Sequence, residues 1–78
     1  MITIEFDMDE TLITILDNTG ECEDVSVLIY DDYVHIRQYN EKTNRFDVIT
    51  MKPEMYLKIM KAWKLPEGTY DLVMKEEL

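Results

Sequence analysis

The sequence predicts an α+β fold: an antiparallel sheet of four to five strands followed by one C-terminal helix. Three observations predict it. Short runs of alternating apolar and polar residues, bounded by turn-forming residues, recur from Ile2 to Met51. No helical pattern separates these runs, so neighbouring strands have no crossover connection and run antiparallel. One apolar stripe at helical spacing follows Pro53.

The elements follow in chain order. Ile2, Ile4, Phe6 and Met8 alternate with Thr3, Glu5 and Asp7, the period of a half-buried strand. Thr11 to Leu16 is β-branched and apolar, a second strand that ends at the turn Asp17-Asn18-Thr19-Gly20. Val25–Tyr30 and Tyr33–Tyr39 are two strands separated only by Asp31-Asp32, a tight hairpin. That loop sets a register. Leu28 pairs with His35 and Ser26 with Arg37 on one face, while Ile29 meets Val34 and Val27 meets Ile36 on the other. The second face is aliphatic and is the expected core. The first carries Tyr30, Tyr33, His35, Arg37 and Tyr39. Asn40–Asn44 is a loop, and Phe46, Val48 and Thr50 alternate with Asp47, Ile49 and Met51 in a further strand. Pro53 suits the first turn of a helix. Met55, Tyr56, Ile59, Met60 and Trp63 form its stripe, and Leu65-Pro66-Glu67-Gly68 ends it. The expected organisation is one sheet-plus-helix domain over residues 1–64 and an acidic C-terminal tail over 65–78, with a short strand suggested at Tyr70–Met74.

Size and composition narrow the function classes. A chain of 78 residues buries about 60–65% of its unfolded surface, so a lone protomer is marginal. Cys22 is the only cysteine and His35 the only histidine, which leaves neither a disulfide nor a structural zinc site to stabilise it. A homodimer is the expected remedy. The lone cysteine suits a reducing compartment, no apolar run nears a membrane span, and the N-terminus lacks a basic leader, so the expectation is cytoplasmic, with no membrane partner. No Gly-rich phosphate loop, Ser/His/Asp set or Cys/His pair is present, and neither a catalytic site, a metal nor a cofactor is expected.

Charge is divided by position. Residues 1–32 hold ten acids and no Lys or Arg, and residues 33–64 hold seven of the eight cations against Glu41, Asp47 and Glu54. Residues 65–78 return to four acids against Lys75. A protein of net charge −9 thus contains a central stretch of +4. Screening limits electrostatic reach to roughly 10 Å at moderate salt, so such a stretch can present a local basic surface. Alternating Tyr, His and Arg on one strand face is what a binder of single-stranded nucleic acid needs: rings stack on bases, and cations neutralise phosphates. Taken singly, the same residues also suit an ordinary solvated sheet face. The lysines Lys58, Lys61 and Lys64 on the helix either extend a groove or keep the helix soluble.

Two resemblances bear on function. Asp7-Met8-Asp9-Glu10-Thr11, after a hydrophobic strand, looks like the DxDxT motif of haloacid-dehalogenase-type phosphatases, which implies Asp7 as nucleophile and magnesium on the carboxylates. The match covers some seven residues, no helix follows, and the later motifs have no room; a turn between strands is the plain alternative. The second resemblance is broader. Val34-His35-Ile36-Arg37-Gln38-Tyr39, then Ile49-Thr50-Met51-Lys52-Pro53-Glu54-Met55-Tyr56, resemble the [V/I]-D-I-R-x-[Y/W] strand and the I-[S/T]-L-x-x-E-[Q/E]-[W/F] strand-to-helix junction of the transcriptional coactivator positive cofactor four family, most closely its bacterial and phage-type members. That resemblance implies a curved antiparallel sheet, one helix, a homodimer, and a groove for single-stranded DNA. It implies a role in transcription, replication or recombination and a phage-encoded protein working in the host cytoplasm. By position, Arg37 matches the family's strand arginine and Tyr39 its aromatic.

The candidate nucleic-acid-binding residues are therefore Tyr33, His35, Arg37, Tyr39, Lys42, Arg45 and Lys52. Tyr56, Ile59, Met60 and Trp63 are expected to hold core and dimer together. The sequence departs from the family pattern at His35, which replaces an acid, and at Asp47, where a lysine is expected. DNA binding that is weaker, more salt-sensitive or confined to a smaller patch is expected from those departures. The acidic termini are a candidate dock for a replication or transcription protein. The alternative function is an acidic protein-interaction module or DNA-mimic inhibitor that engages a host protein's basic cleft through residues 1–32.

Overall fold

The computed structural model describes residues 1–71. It contains β1 (Ile2–Phe6), β2 (Thr11–Ile15), β3 (Val25–Ile29), β4 (Val34–Asn40), β5 (Arg45–Met51) and α1 (Pro53–Ala62). The strands form one antiparallel sheet in sequence order, β1-β2-β3-β4-β5, so every neighbour in the sheet is a neighbour in the chain. Both expected parts, the antiparallel sheet and the single helix after it, are present, with five strands. The suggested strand at Tyr70–Met74 lies, beyond Asp71, outside the described residues. No helix among the described residues is long and apolar enough to cross a membrane.

Short turns impose this meander. At β1–β2 the Asp7 amide donates to the Glu10 carbonyl (2.9 Å), and the Asp7 carboxylate takes the Met8 amide (2.7 Å). Asp7, Asp9 and Glu10 therefore make a hairpin turn, and the strand after it is an antiparallel partner rather than the start of a crossover. Between β2 and β3 the Asp17 carboxylate organises the loop, accepting from the Thr19 amide (3.0 Å), the Thr19 hydroxyl (2.7 Å) and the Cys22 amide (2.6 Å). Those donors hold its pKa down at about 2, from an ordinary 3.8. Gly20 supplies the positive φ of 75° that this loop requires. The Asp31-Asp32 hairpin closes through the Tyr30 amide on the Tyr33 carbonyl (2.8 Å). Neither aspartate has a positive φ, so the loop is not the type I′ turn that Asn-Gly would make.

The β3–β4 register pairs Leu28 with His35, Ser26 with Arg37, Val27 with Ile36 and Ile29 with Val34, as the two-residue loop dictates. Alternation divides the sheet into two sides. The aliphatic side carries Ile2, Ile4, Phe6, Ile13, Ile15, Val27, Ile29, Val34, Ile36, Ile49 and Met51. The two hydrophobic residues buried among the described residues, Val27 and Val34, are both on it. The helix differs from expectation. None of its residues is buried, and only Pro53 and Tyr56 are half-buried. Ile59, Met60 and Trp63, expected in core and dimer, are 56%, 49% and 83% exposed in the protomer. The reason lies in the junction. α1 starts two residues after Met51, the end of the edge strand β5, and that short tether holds it at one margin of the sheet.

Candidate nucleic-acid interface

The polar side of the sheet is assembled by β4. His35, Arg37 and Tyr39 alternate along it, and Tyr33 precedes it on the same side. Successive same-side positions on an antiparallel strand stand about 6.8 Å apart, so Tyr33 to Tyr39 make a row about 20 Å long. The β4–β5 register places Thr50 opposite His35, Val48 opposite Arg37 and Phe46 opposite Tyr39.

At one end of the row Tyr33 is 47% exposed, and its ring stacks with that of His35 (centroids 6.4 Å apart, planes at 17°). Lys52 occupies the N-cap of α1, where its side chain, a donor with no acceptor, makes no capping bond. Its Nζ stands 4.5 Å from the Tyr33 ring centroid, a cation over an aromatic face. His35 Nδ1 is hydrogen-bonded to the Thr50 hydroxyl (2.8 Å), and Tyr30 meets the His35 ring edge-on (5.7 Å). A hydrogen bond to Glu10 raises the Tyr30 phenol's pKa above the ordinary 10, with partial desolvation and the Glu10 charge adding to it and Arg37 opposing. Tyr30 thus stays protonated at neutral pH and props His35 from the β3 side.

Arg37 and Tyr39 form the other end. The Arg37 guanidinium lies over the Phe46 ring (5.0 Å to the centroid), and Tyr39 packs edge-on against the same ring (5.4 Å). Arg37 Nε is enclosed and has no hydrogen-bond partner among the described residues. The Tyr39 hydroxyl donates to Asn44 Oδ1 (3.1 Å), and Asn44 adopts the left-handed conformation (φ 55°) that Asn tolerates in a hairpin loop. Phe46 is 55% exposed. It is the floor for both Arg37 and Tyr39 and was absent from the sequence-derived set. Counting back from the loop would have found it: four loop residues, Glu41–Asn44, pair Asn40 with Arg45 and hence Tyr39 with Phe46.

The same count separates Arg45 from the others. Paired with Asn40, it lies on the aliphatic side with Gln38 and Asp47, opposite to Arg37. Lys42 is at the hairpin tip, where its amide donates to Asn40 Oδ1 (3.0 Å). It lines an open hollow of about 720 Å³ together with Glu21, Glu23, Glu41 and Asp47. There the Glu23 carboxyl is hydrogen-bonded to Glu41, and this bond, partial burial and the nearby negative charges raise its pKa above 4.5. The acidic β2–β3 loop has folded beside the basic hairpin, so the cation at the tip is surrounded by carboxylates. The structure brings together Tyr33, His35, Arg37, Tyr39 and Lys52, with Phe46 and Thr50 in support. It sets Lys42 at the rim and Arg45 on the other side.

No group of three or more His, Cys, Asp or Glu among the described residues could hold a metal ion. Chemically the row offers exposed or half-exposed rings for stacking, one planar cation and one ammonium. No curated protein and no solved structure matches the chain. A family model described as "Domain of unknown function (DUF8831)" matches residues 3–62, from β1 to the last residue of α1, and the chain belongs to that family.

Proposed function

We propose that this protein is a non-enzymatic binder of single-stranded DNA, similar in mode to the positive cofactor four coactivators, that acts as a homodimer in transcription, replication or recombination. One observation carries the reading. Tyr33, His35, Arg37 and Tyr39 share a row with Lys52 above it, on the side of the sheet opposite buried Val27 and Val34. An aromatic row spaced along a strand and flanked by two cations suits a backbone of phosphates with bases turned toward the sheet. Arg37 and Lys52 take phosphates; Tyr33 and Tyr39 stack bases; His35, fixed by Thr50, lies between them. Lys42 acts at the rim, weakened by its carboxylate neighbours. Arg45 takes no part in this row.

A second reading has its own observation. Glu21, Glu23, Glu41 and Asp47 line one hollow, and Glu41 foremost raises the Glu23 pKa, a crowding of carboxylates that suits an acidic interaction module or DNA mimic aimed at a basic protein cleft. One titration divides the two. A labelled dT oligonucleotide at low salt binds saturably under the first reading, and Arg37→Ala with Lys52→Ala weakens it. Absence of binding at low salt overturns the first reading and favours the second.

A further inference from the structure

β1 is an outer strand of the sheet, with β2 as its strand neighbour, and all five of its residues are exposed. Two hydrogen bonds show which of its backbone groups are already used. The Leu16 amide donates to the Met1 carbonyl (3.0 Å) and the Asp7 amide to the Glu10 carbonyl (2.9 Å), at the two ends of the β1–β2 ladder. Bonded and unbonded positions alternate along an antiparallel pair. Thr3 and Glu5 therefore bond to β2, whereas the amides and carbonyls of Ile2, Ile4 and Phe6 point outward from the sheet margin. The same three residues carry the strand's aliphatic side chains, 63%, 57% and 83% exposed. Sheet edges are commonly blunted by Lys, Pro or a bulge. β1 has neither Lys nor Pro, and its five consecutive pairs with β2 leave no bulge. The other outer strand, β5, carries Arg45 and Asp47 and is followed within two residues by α1.

We infer that β1 is the dimer contact: β1 of a second copy pairs with it, antiparallel, about a two-fold axis at Ile4 normal to the sheet, which joins five strands from each copy into one sheet. The inference rests on the homodimer in the proposed function and supplies its contact; nothing in it requires DNA. An open edge accepts any extended segment, and self-complementarity is what selects a second copy. With Ile4 opposite Ile4 of the second copy, Ile2 faces Phe6 and Thr3 faces Glu5. Every outward residue then meets an outward residue, and three opposed pairs exchange six backbone hydrogen bonds, two per pair. On the aliphatic side a β-branched side chain meets an aromatic one, and on the polar side a hydroxyl meets a carboxylate. The neighbouring registers are worse. A slip of one residue sets outward groups against groups already bonded to β2 and joins the aliphatic side of one copy to the polar side of the other. A slip of two in one direction brings Glu5 opposite Glu5 of the second copy in an unbonded pair, where the strands approach to about 4.5 Å between Cα atoms. In the other direction it leaves Phe6 past the end of the facing β1 and keeps four of the six bonds.

Sedimentation velocity across a concentration series tests this, with circular dichroism as a check on folding. The wild type sediments as a dimer; one that stays monomeric overturns the inference. A proline is tolerated on an edge strand where its missing N–H faces away from the ladder, so Ile4→Pro keeps every β1–β2 bond. It removes two of the six bonds between copies and raises the dimer dissociation constant about 5- to 150-fold. Ile4→Val keeps the amide and dimerises like the wild type. An Ile4→Pro protein that dimerises like the wild type overturns the pairing, and so does equal weakening by Ile4→Val, which means a side-chain contact. Should Ile4→Pro fail to fold, Thr3→Lys decides. It places an ammonium opposite Glu5 of the second copy twice per dimer, tightening association about 2- to 30-fold at low salt and losing that gain at high salt; an unchanged dimer overturns the register. Hydrogen exchange locates the contact. The Ile2, Ile4 and Phe6 amides slow as concentration rises, whereas slow exchange that persists in dilute monomer means that a segment of the same chain holds the edge, which also overturns the inference. Oligonucleotide binding on the same samples separates the two proposals. A β1-paired dimer that ignores DNA leaves this inference standing and removes the function, while DNA binding by a wild type that stays monomeric does the reverse.

Discussion

Replacing Arg37 by Ala tests the polar row at its only guanidinium. Arg37 and Lys52 are the two cations placed over its rings, one above Phe46 and one above Tyr33. Each phosphate neutralised on a single strand contributes about 0.7 to the slope of log K against log salt. One engaged protomer then gives a slope near −1.4 and a two-fold dimer near −2.8, so tenfold more salt weakens the wild type about 25-fold or about 600-fold. Arg37→Ala removes about 0.7 of slope per engaged protomer as well as its share of affinity. The fold should tolerate the change, because the partners of Arg37 on β5, Phe46 and Val48, are already 55% and 54% exposed. Fluorescence anisotropy of a labelled dT oligonucleotide over a salt series reads both quantities. Arg45→Ala, on the other side of the sheet, is the control and leaves the slope unchanged. An Arg37→Ala protein whose affinity and slope equal those of the wild type would refute the reasoning.

Three other perturbations follow from the same geometry. Tyr33→Ala removes one stacking ring, about 1–3 kcal/mol per base, and weakens oligonucleotide binding about 5- to 150-fold with little change in salt slope, read by the same anisotropy assay. Val34→Ala, at a position only 1% exposed, costs about 2 kcal/mol in urea unfolding, a large share of the stability of a domain this small, whereas Val48→Ala changes stability by less than about 0.5 kcal/mol. Asp17→Asn alters acid stability with a defined sign. The native carboxyl titrates at about 2 rather than 3.8, so its stabilising effect is complete above the higher value and disappears as pH falls through the lower. Thermal unfolding from pH 5 to pH 2 therefore shows a steeper loss for the wild type than for Asp17→Asn; parallel curves would mean the loop bonds do not contribute.

Local signals carried most of the fold. Alternation located the strands, and the Asp31-Asp32 loop set the β3–β4 register, because a two-residue hairpin leaves one choice of parity. That parity also placed His35, Arg37 and Tyr39 on one side. The β4–β5 parity was equally legible from the four-residue loop, and applying it would have moved Arg45 to the aliphatic side and brought Phe46 into the row. The β2–β3 loop lies beside Lys42 because alternate loops of an antiparallel meander share one end of the sheet, so the division of charge along the chain overstates its separation in space. Other features depend on contacts between distant segments. An apolar stripe does not say what it covers. The stripe of α1 read as a core face, but its short tether to an edge strand leaves most of it exposed in the protomer.

Backbone amide NMR during titration with an unlabelled dT oligonucleotide addresses the row of β4 most directly, since it reports position as well as binding. The account predicts saturable shifts concentrated over residues 33–39 and 46–52, with residues 17–24 nearly still. Shifts centred on the Asp17–Asp24 loop, or none at low salt, would contradict it.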